Sequence, residues 1–188
     1  MRRRVIAITV GLFISGVAHA GADSFSGCWP ITLGDVAALN PPRFDQYASA
    51  RAFRGKPAAV DLTSSPRAKT FRTVLRLGQK AGPNFDGHYT VVGWGCGTSC
   101  LEFAIVDAES GAVYFPPFRS VSSVHVYEAP GEPLPTYWAL RYQLDSSLLV
   151  VLGAPDDNDD LEGISYYRWT GVKLILVRHF RSLKDRDC

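Results

Sequence analysis

The sequence predicts an α+β fold, mostly an antiparallel β-sheet of about six to eight strands, with one clear helix near residues 66–77. Three observations carry this. From His88 onward, short runs of β-branched and aromatic residues alternate with turn residues. The turns are short, and strands joined by short turns cannot be parallel. A single stretch of helical periodicity precedes them. The composition, 46% hydrophobic and 20% charged, is that of a globular chain and excludes a disordered or coiled-coil one.

Residues 1–20 read as an address. Met1 is followed by Arg2, Arg3 and Arg4, an apolar run from Val5 to Val17, and Ala18-His19-Ala20. A basic start, a short apolar stretch and an A-x-A ending make a secretory signal peptide, cleaved after Ala20. The apolar run falls short of the ~20 residues that span a bilayer. Lipid anchoring at Cys28 is the alternative, because Phe25-Ser26-Gly27-Cys28 loosely resembles a lipidation box. Against it, Phe25 stands where Leu is usual, and Asp23 interrupts the approach. The exported chain is then 21–188, a single disulfide-stapled β-rich domain, periplasmic or secreted. Of 20 Lys+Arg and 18 Asp+Glu, three Arg leave with the address, so the remainder balances at 17 against 18. Overall charge therefore predicts no nucleic-acid partner, and no stable membrane insertion of the mature chain is expected.

Residues 21–60 are irregular, with Pro30, Pro41, Pro42 and Pro57 and a short helix around Asp35 to Leu39. Ser65 and Pro66 suit the N-cap and first position of the main helix. Ala68, Phe71, Val74 and Leu75 give it an apolar face, and Gly78 suits its stop. Arg67, Lys69, Arg72 and Arg76 read as a solvated face. Strands follow at Tyr89–Trp94, Leu101–Val106, Ala112–Phe115, Val121–Tyr127, Trp138–Leu144, Leu148–Leu152, Ile164–Trp169 and Val172–Phe180. Asp107 to Gly111 and Thr170-Gly171 carry hairpin signals. The run Asp156 to Glu162 lacks the Gly and Glu spacing of an EF-hand calcium loop and reads as a solvated hairpin tip. His125 and His179 lie in strands without acidic neighbours and receive no role.

Residues 82–100 concentrate glycine, Asp86, His88, Trp94, Cys96 and Cys100. Four cysteines in an exported chain point to disulfides, and three pairings are open. Cys96–Cys100 and Cys28–Cys188 are favoured, because Gly97 permits a tight turn and the second pair would join the chain ends. The candidate binding residues are Asn84, His88, Tyr89, Trp94 and Thr98.

Asn84-Phe85-Asp86-Gly87-His88-Tyr89 followed by Trp94-Gly95-Cys96-Gly97-Thr98-Ser99-Cys100, then Ala104-Ile105-Val106-Asp107 and Gly111-Ala112-Val113-Tyr114, resembles a family of uncharacterised exported bacterial proteins. They share Asn-Phe-x-Gly-His-Tyr and Trp-Gly-Cys-Gly-Thr-x-Cys. The resemblance covers roughly residues 55–118 and brings no activity with it.

Three chemistries compete with a purely structural role. Cys96, Cys100 and His88, with His125 as fourth, have ligand types suited to zinc, but an exported thiol pair oxidises. Cys96 as nucleophile, His88 as base and Asp86 as orienting group would make a thiol enzyme, with His88 and Asp86 on one strand face by period two. A calcium-stabilised envelope protein would use the acidic run. The leading expectation is a non-catalytic binding or interaction module, of inhibitor or immunity type, that meets another envelope or secreted protein and needs no cofactor.

Overall fold

Thr32 shows how local chemistry starts the described chain. Its side chain accepts from the Asp35 amide at 3.1 Å, and the Asp35 carboxylate accepts from the Thr32 amide at 2.7 Å. This capping box opens α1 (Leu33–Ala37) directly after β1 (Ile31–Thr32), two residues ahead of the expected helix start at Asp35. The computed structural model describes residues 31–49, 51–122, 126–127 and 139–182. The address, the Cys28–Cys188 pairing, His125 and Trp138 lie outside them.

A 3-10 helix occupies Phe44–Tyr47, and residues 51–61 form a strap without regular secondary structure. The expected main helix is two: α2 (Pro66–Thr70) and α3 (Arg72–Gln79), dividing at Phe71, where ψ is 17°. Ser65 occupies the N-cap without a side-chain bond, and Pro66 takes the first position. Gly78 does not stop the helix. A Cβ there would lie 2.5 Å from Val92 Cγ1, so the glycine lets α3 rest directly on the sheet.

The strands are β2 (Tyr89–Gly97), β3 (Cys100–Asp107), β4 (Val113–Tyr114), β5 (Val121–Ser122), β6 (Val126–Tyr127), β7 (Leu140–Tyr142), β8 (Leu148–Pro155), β9 (Gly163–Trp169) and β10 (Leu174–Arg181). Of the strand expected over 121–127, the described residues contribute β5 and β6, and the last strand begins at Leu174 rather than Val172. Among the described residues, eight strands form one antiparallel sheet in the order β10-β9-β8-β5-β3-β2, with β4 on β3 and β7 on β8. β1 and β6 form a separate parallel pair, beside a main sheet that is antiparallel as expected.

β5 is the corner of the sheet. Val121 pairs with Leu101 on one side and Pro155 on the other. The two wings fold toward each other around it. Val91, Phe103 and Ile105 of one wing share a core with Leu149, Val151, Tyr167 and Trp169 of the other. The outer face of β2–β3 buries Val92, Ala104 and Val106 against Ala68 and Leu75 of the helices. The outer face of β8–β10 buries Val150, Ile164 and Phe180 against Ile31 and Val36. Alternate residues thus point to alternate cores. β8, covered on both faces, is buried along its whole length, which explains its unbroken apolar run from Leu148 to Leu152.

The turns follow the side chains that the sequence supplied. Asp107 accepts from the Glu109 amide and the Ser110 hydroxyl, and Gly111 takes φ +80°. Thr170 bonds Lys173 across the β9–β10 turn, with Gly171 at φ +89°. In the acidic run, Asp156 Oδ1 accepts the amides of Arg119 and Ser120 at 2.7 and 3.2 Å and so ties the turn to the chain entering β5.

Candidate functional site

The Gly-rich motif spans a two-stranded ribbon, β2–β3, and distributes its residues between the two ends. At one end the strap crosses the turns that flank the ribbon. Phe53 N donates to Gly87 O, Ala58 N to Ala108 O, and Asp61 N to Gly111 O, each at 2.8 Å. At both Gly crossings a Cβ would overlap strap backbone: the Arg51 carbonyl at Gly87, and the Ala59 carbonyl at Gly111. Both glycines also have positive φ, +76° and +80°. Their lack of a side chain lets the strap lie on the turns.

This crossing gathers ionisable groups from three segments. His88 Nε2, Asp107 and Glu109 bring their ligand atoms within 4.8 Å of one another. His88 Nε2 and Asp107 Oδ1 are 3.8 Å apart, too long for a hydrogen bond. Arg51 from the strap pairs with Glu109. Asp86 accepts from the Ser49 hydroxyl at 2.8 Å, and burial pushes its carboxyl above the usual range, against the lowering effect of Ser49 and His88. Asp86 sits in the turn at φ +40°, before β2 begins at Tyr89, so the expected shared strand face of Asp86 and His88 does not exist. The carboxylate nearest His88 among its ion pairs comes from β3, not from its own segment.

Could this cluster hold a metal ion? The residue types suit zinc. Yet Asp107 already accepts two hydrogen bonds from its own turn, and Glu109 carries the Arg51 guanidinium. The arrangement reads as a latch between strap and turns.

At the far end, Cys96 and Cys100 form a disulfide with Cα atoms 5.1 Å apart. It closes an exposed turn in which Gly97 has φ +145° and Ser99 φ +53°. His88 immediately precedes β2, and Cys96 stands eight residues beyond it, near the far end of that strand. That is about 25 Å at the rise of an extended chain. The sequence-derived nucleophile–base pair and the Cys–His zinc set are thus split between opposite ends of the ribbon.

Behind the turn lies an aromatic footing. Trp94 packs on Phe71 with centroids 4.4 Å apart, and the Arg67 guanidinium lies 4.2 Å from the Phe115 centroid. Arg67 also bonds Glu102 at 3.1 Å. Of the basic residues expected on a solvated helix face, Arg67 is therefore a half-buried anchor. Its functional reading was missed because Glu102 and Phe115 are far away in sequence.

The other candidates divide clearly. Asn84 is engaged by the fold: its amide donates to Val91 O and accepts from Val91 N at 3.2 and 2.8 Å. The Tyr89 ring is in the core, against Trp169, and burial pushes its phenol up. Thr98 alone of the five candidate binding residues is exposed, at the tip. His179 lies in β10 with its Nδ1 2.9 Å from Ser165 Oγ. The two residues are 7% and 1% exposed, which shuts this pair away from any substrate. Burial first, and Arg181 second, hold the imidazole below its usual pKa.

Comparison of the chain with protein families, with curated proteins and with solved structures returned no match.

Proposed function

We propose that this chain is an exported, non-catalytic binding module that presents the stapled turn 95–99 to another envelope or secreted protein. The observation that carries the reading is the Cys96–Cys100 bond, which fixes an otherwise exposed turn. A turn that is rigid before contact loses less conformational entropy on binding. The Trp94–Phe71 stack and Arg67 hold its base on the helices. The basic-apolar address at 1–20 and a disulfide both suit an oxidising compartment outside the cytoplasm.

The thiol-enzyme reading is weakened because its two groups stand at opposite ends of β2, with the thiol oxidised. The calcium reading is weakened because Asp156 is bonded to backbone amides and Asp160 to Arg181 at 2.9 Å.

The test is site-specific photocrosslinking in the producing cells. A photoreactive residue at position 98 is expected to give one discrete heteromeric adduct, lost in the Cys96→Ser/Cys100→Ser chain. The same group at Val172, on the exposed β9–β10 turn, gives none. No adduct at 98, or equal adducts at both positions, overturns the proposal.

A further inference from the structure

Charge is segregated along this chain. Residues 51–80 hold eight Lys or Arg (51, 54, 56, 67, 69, 72, 76 and 80) and a single acid, Asp61. The remaining residues hold twelve against seventeen, by subtraction from 20 and 18. A near-neutral total thus conceals a strongly basic segment. Two of its cations have carboxylate partners: Arg51 with Glu109 and Arg67 with Glu102. The other six have none among the described residues.

The fold gathers several of the six. Arg72, Arg76 and Lys80 are spaced by four along α3 and its C-cap, which puts them on one side of the helix. The strap runs alongside. Between strap and helix lies a cleft of about 450 Å³, with Pro57, Ala58, Ala59 and Val60 on the strap side and Lys56, Arg76 and Lys80 among its lining residues. Its floor is fixed from both directions. Ala58 O accepts from the buried Gln79 side chain at 2.7 Å, and Ala58 N donates to Ala108 O at 2.8 Å. Next to Arg76, Leu77 is 60% exposed. Basic side chains around an apolar floor, beside a protruding leucine, are the chemistry of a surface that meets anionic lipid.

We propose that the face formed by α3 and the strap docks on an anionic phospholipid surface, with a lipid phosphate seated among Lys56, Arg76 and Lys80. The proposal is independent of the stapled turn. It requires adsorption, not insertion: no described helix is long and apolar enough to cross a membrane. It also replaces the argument from overall charge, because a surface potential decays within a Debye length and acts on the face presented to it.

The experiment is co-sedimentation of the chain, as secreted by an exporting host, with phosphatidylglycerol-containing vesicles and with pure phosphatidylcholine vesicles. Binding to the anionic vesicles alone is expected, weakening as sodium chloride is raised. The Lys56→Gln/Arg76→Gln/Lys80→Gln variant is expected to bind about 100-fold more weakly, roughly fivefold for each charge removed. Lys173→Gln, on the exposed β9–β10 turn, is the control and leaves binding unchanged. Matching thermal melts for the variants exclude misfolding. Binding to neutral vesicles, or full affinity in the triple variant, overturns the proposal. So does inorganic phosphate that stabilises the chain in a melt without vesicles and abolishes sedimentation, since the cleft would then be a site for soluble phosphate compounds.

Discussion

The two ends of the β2–β3 ribbon are held by opposite means. At the strap crossing, two glycines remove the atoms that would keep backbones apart, and the strap's amides bond directly to the turns. At the tip, a covalent bond closes a turn that has little packed around it beyond its aromatic base. The first end is fixed by the rest of the protein. The second is fixed by itself and so remains exposed. That contrast separates the part of the motif that maintains the fold from the part free to meet a partner.

The comparison can be broken first at the crossing. Gly87→Ala forces a Cβ into the Arg51 carbonyl at positive φ. A loss of about 3 kcal/mol is expected, from backbone strain and steric displacement of the strap. Urea unfolding measures it, and a loss below about 1 kcal/mol, the ordinary size of a point mutation's effect, would show that the strap yields freely. The tip comes next. Cys96→Ser/Cys100→Ser opens a five-residue loop and is expected to lose about 2 kcal/mol by loop entropy. Far-UV circular dichroism should stay unchanged, because the crossing still sets the register; a collapse of the sheet signal would contradict that.

Arg67→Ala tests the footing of the tip. It removes the Phe115 stack and strands Glu102, whose side chain is 14% exposed. A loss of about 1–2 kcal/mol is expected by thermal or chemical melting.

The ends should also differ in their response to pH. Asp86, at the crossing, has a folded-state pKa raised above the ordinary 3.8 by burial. Its contribution to stability is therefore full below the unfolded pKa and is lost as pH rises through the folded value. The advantage of Asp86→Asn over the parent chain should grow as pH is raised from acid toward neutral, in urea melts at a series of pH values. The cysteine double variant, compared with the parent in the same way, should show a difference independent of pH. The smallest effect is expected at the latch. Glu109→Gln breaks an exposed pair with Arg51 and should change stability by less than about 0.5 kcal/mol. Chelator should leave the melting temperature unmoved, since the carboxylates already have partners; a lowered melting temperature would make His88, Asp107 and Glu109 a metal site.

Much of the fold was legible because its signals are local. Ser65-Pro66 opens a helix, Asp107 to Gly111 and Thr170-Gly171 turn hairpins, and alternating or unbroken apolar runs mark half-covered or doubly covered strands. The candidate site was less legible. The residue set around the motif was visible, but its chemistry depends on which distant segment lies against each residue. Asp86 is two residues from His88, and yet the carboxylate that lies 3.8 Å from His88 Nε2 is Asp107 of β3. Cys96 and His88 share a motif, and yet β2 runs between them and keeps them at opposite ends of the ribbon.

The sequence by itself determined the α+β class, the helix start, the hairpin turns and the proximity of Cys96 to Cys100, because each rests on contacts within a few residues. Tertiary structure decided the rest. It made Gly78 a contact surface for Val92 instead of a helix stop, and it withdrew Arg67 from solvent to Glu102 and Phe115. It laid the strap across Gly87 and Gly111, and gathered Lys56, Arg76 and Lys80 around one cleft. Each of these joins segments well separated along the chain, from the 14 residues that separate Gly78 and Val92 upward, and their separation is closed only when buried apolar faces fix the register of the sheet and the seat of the helices upon it.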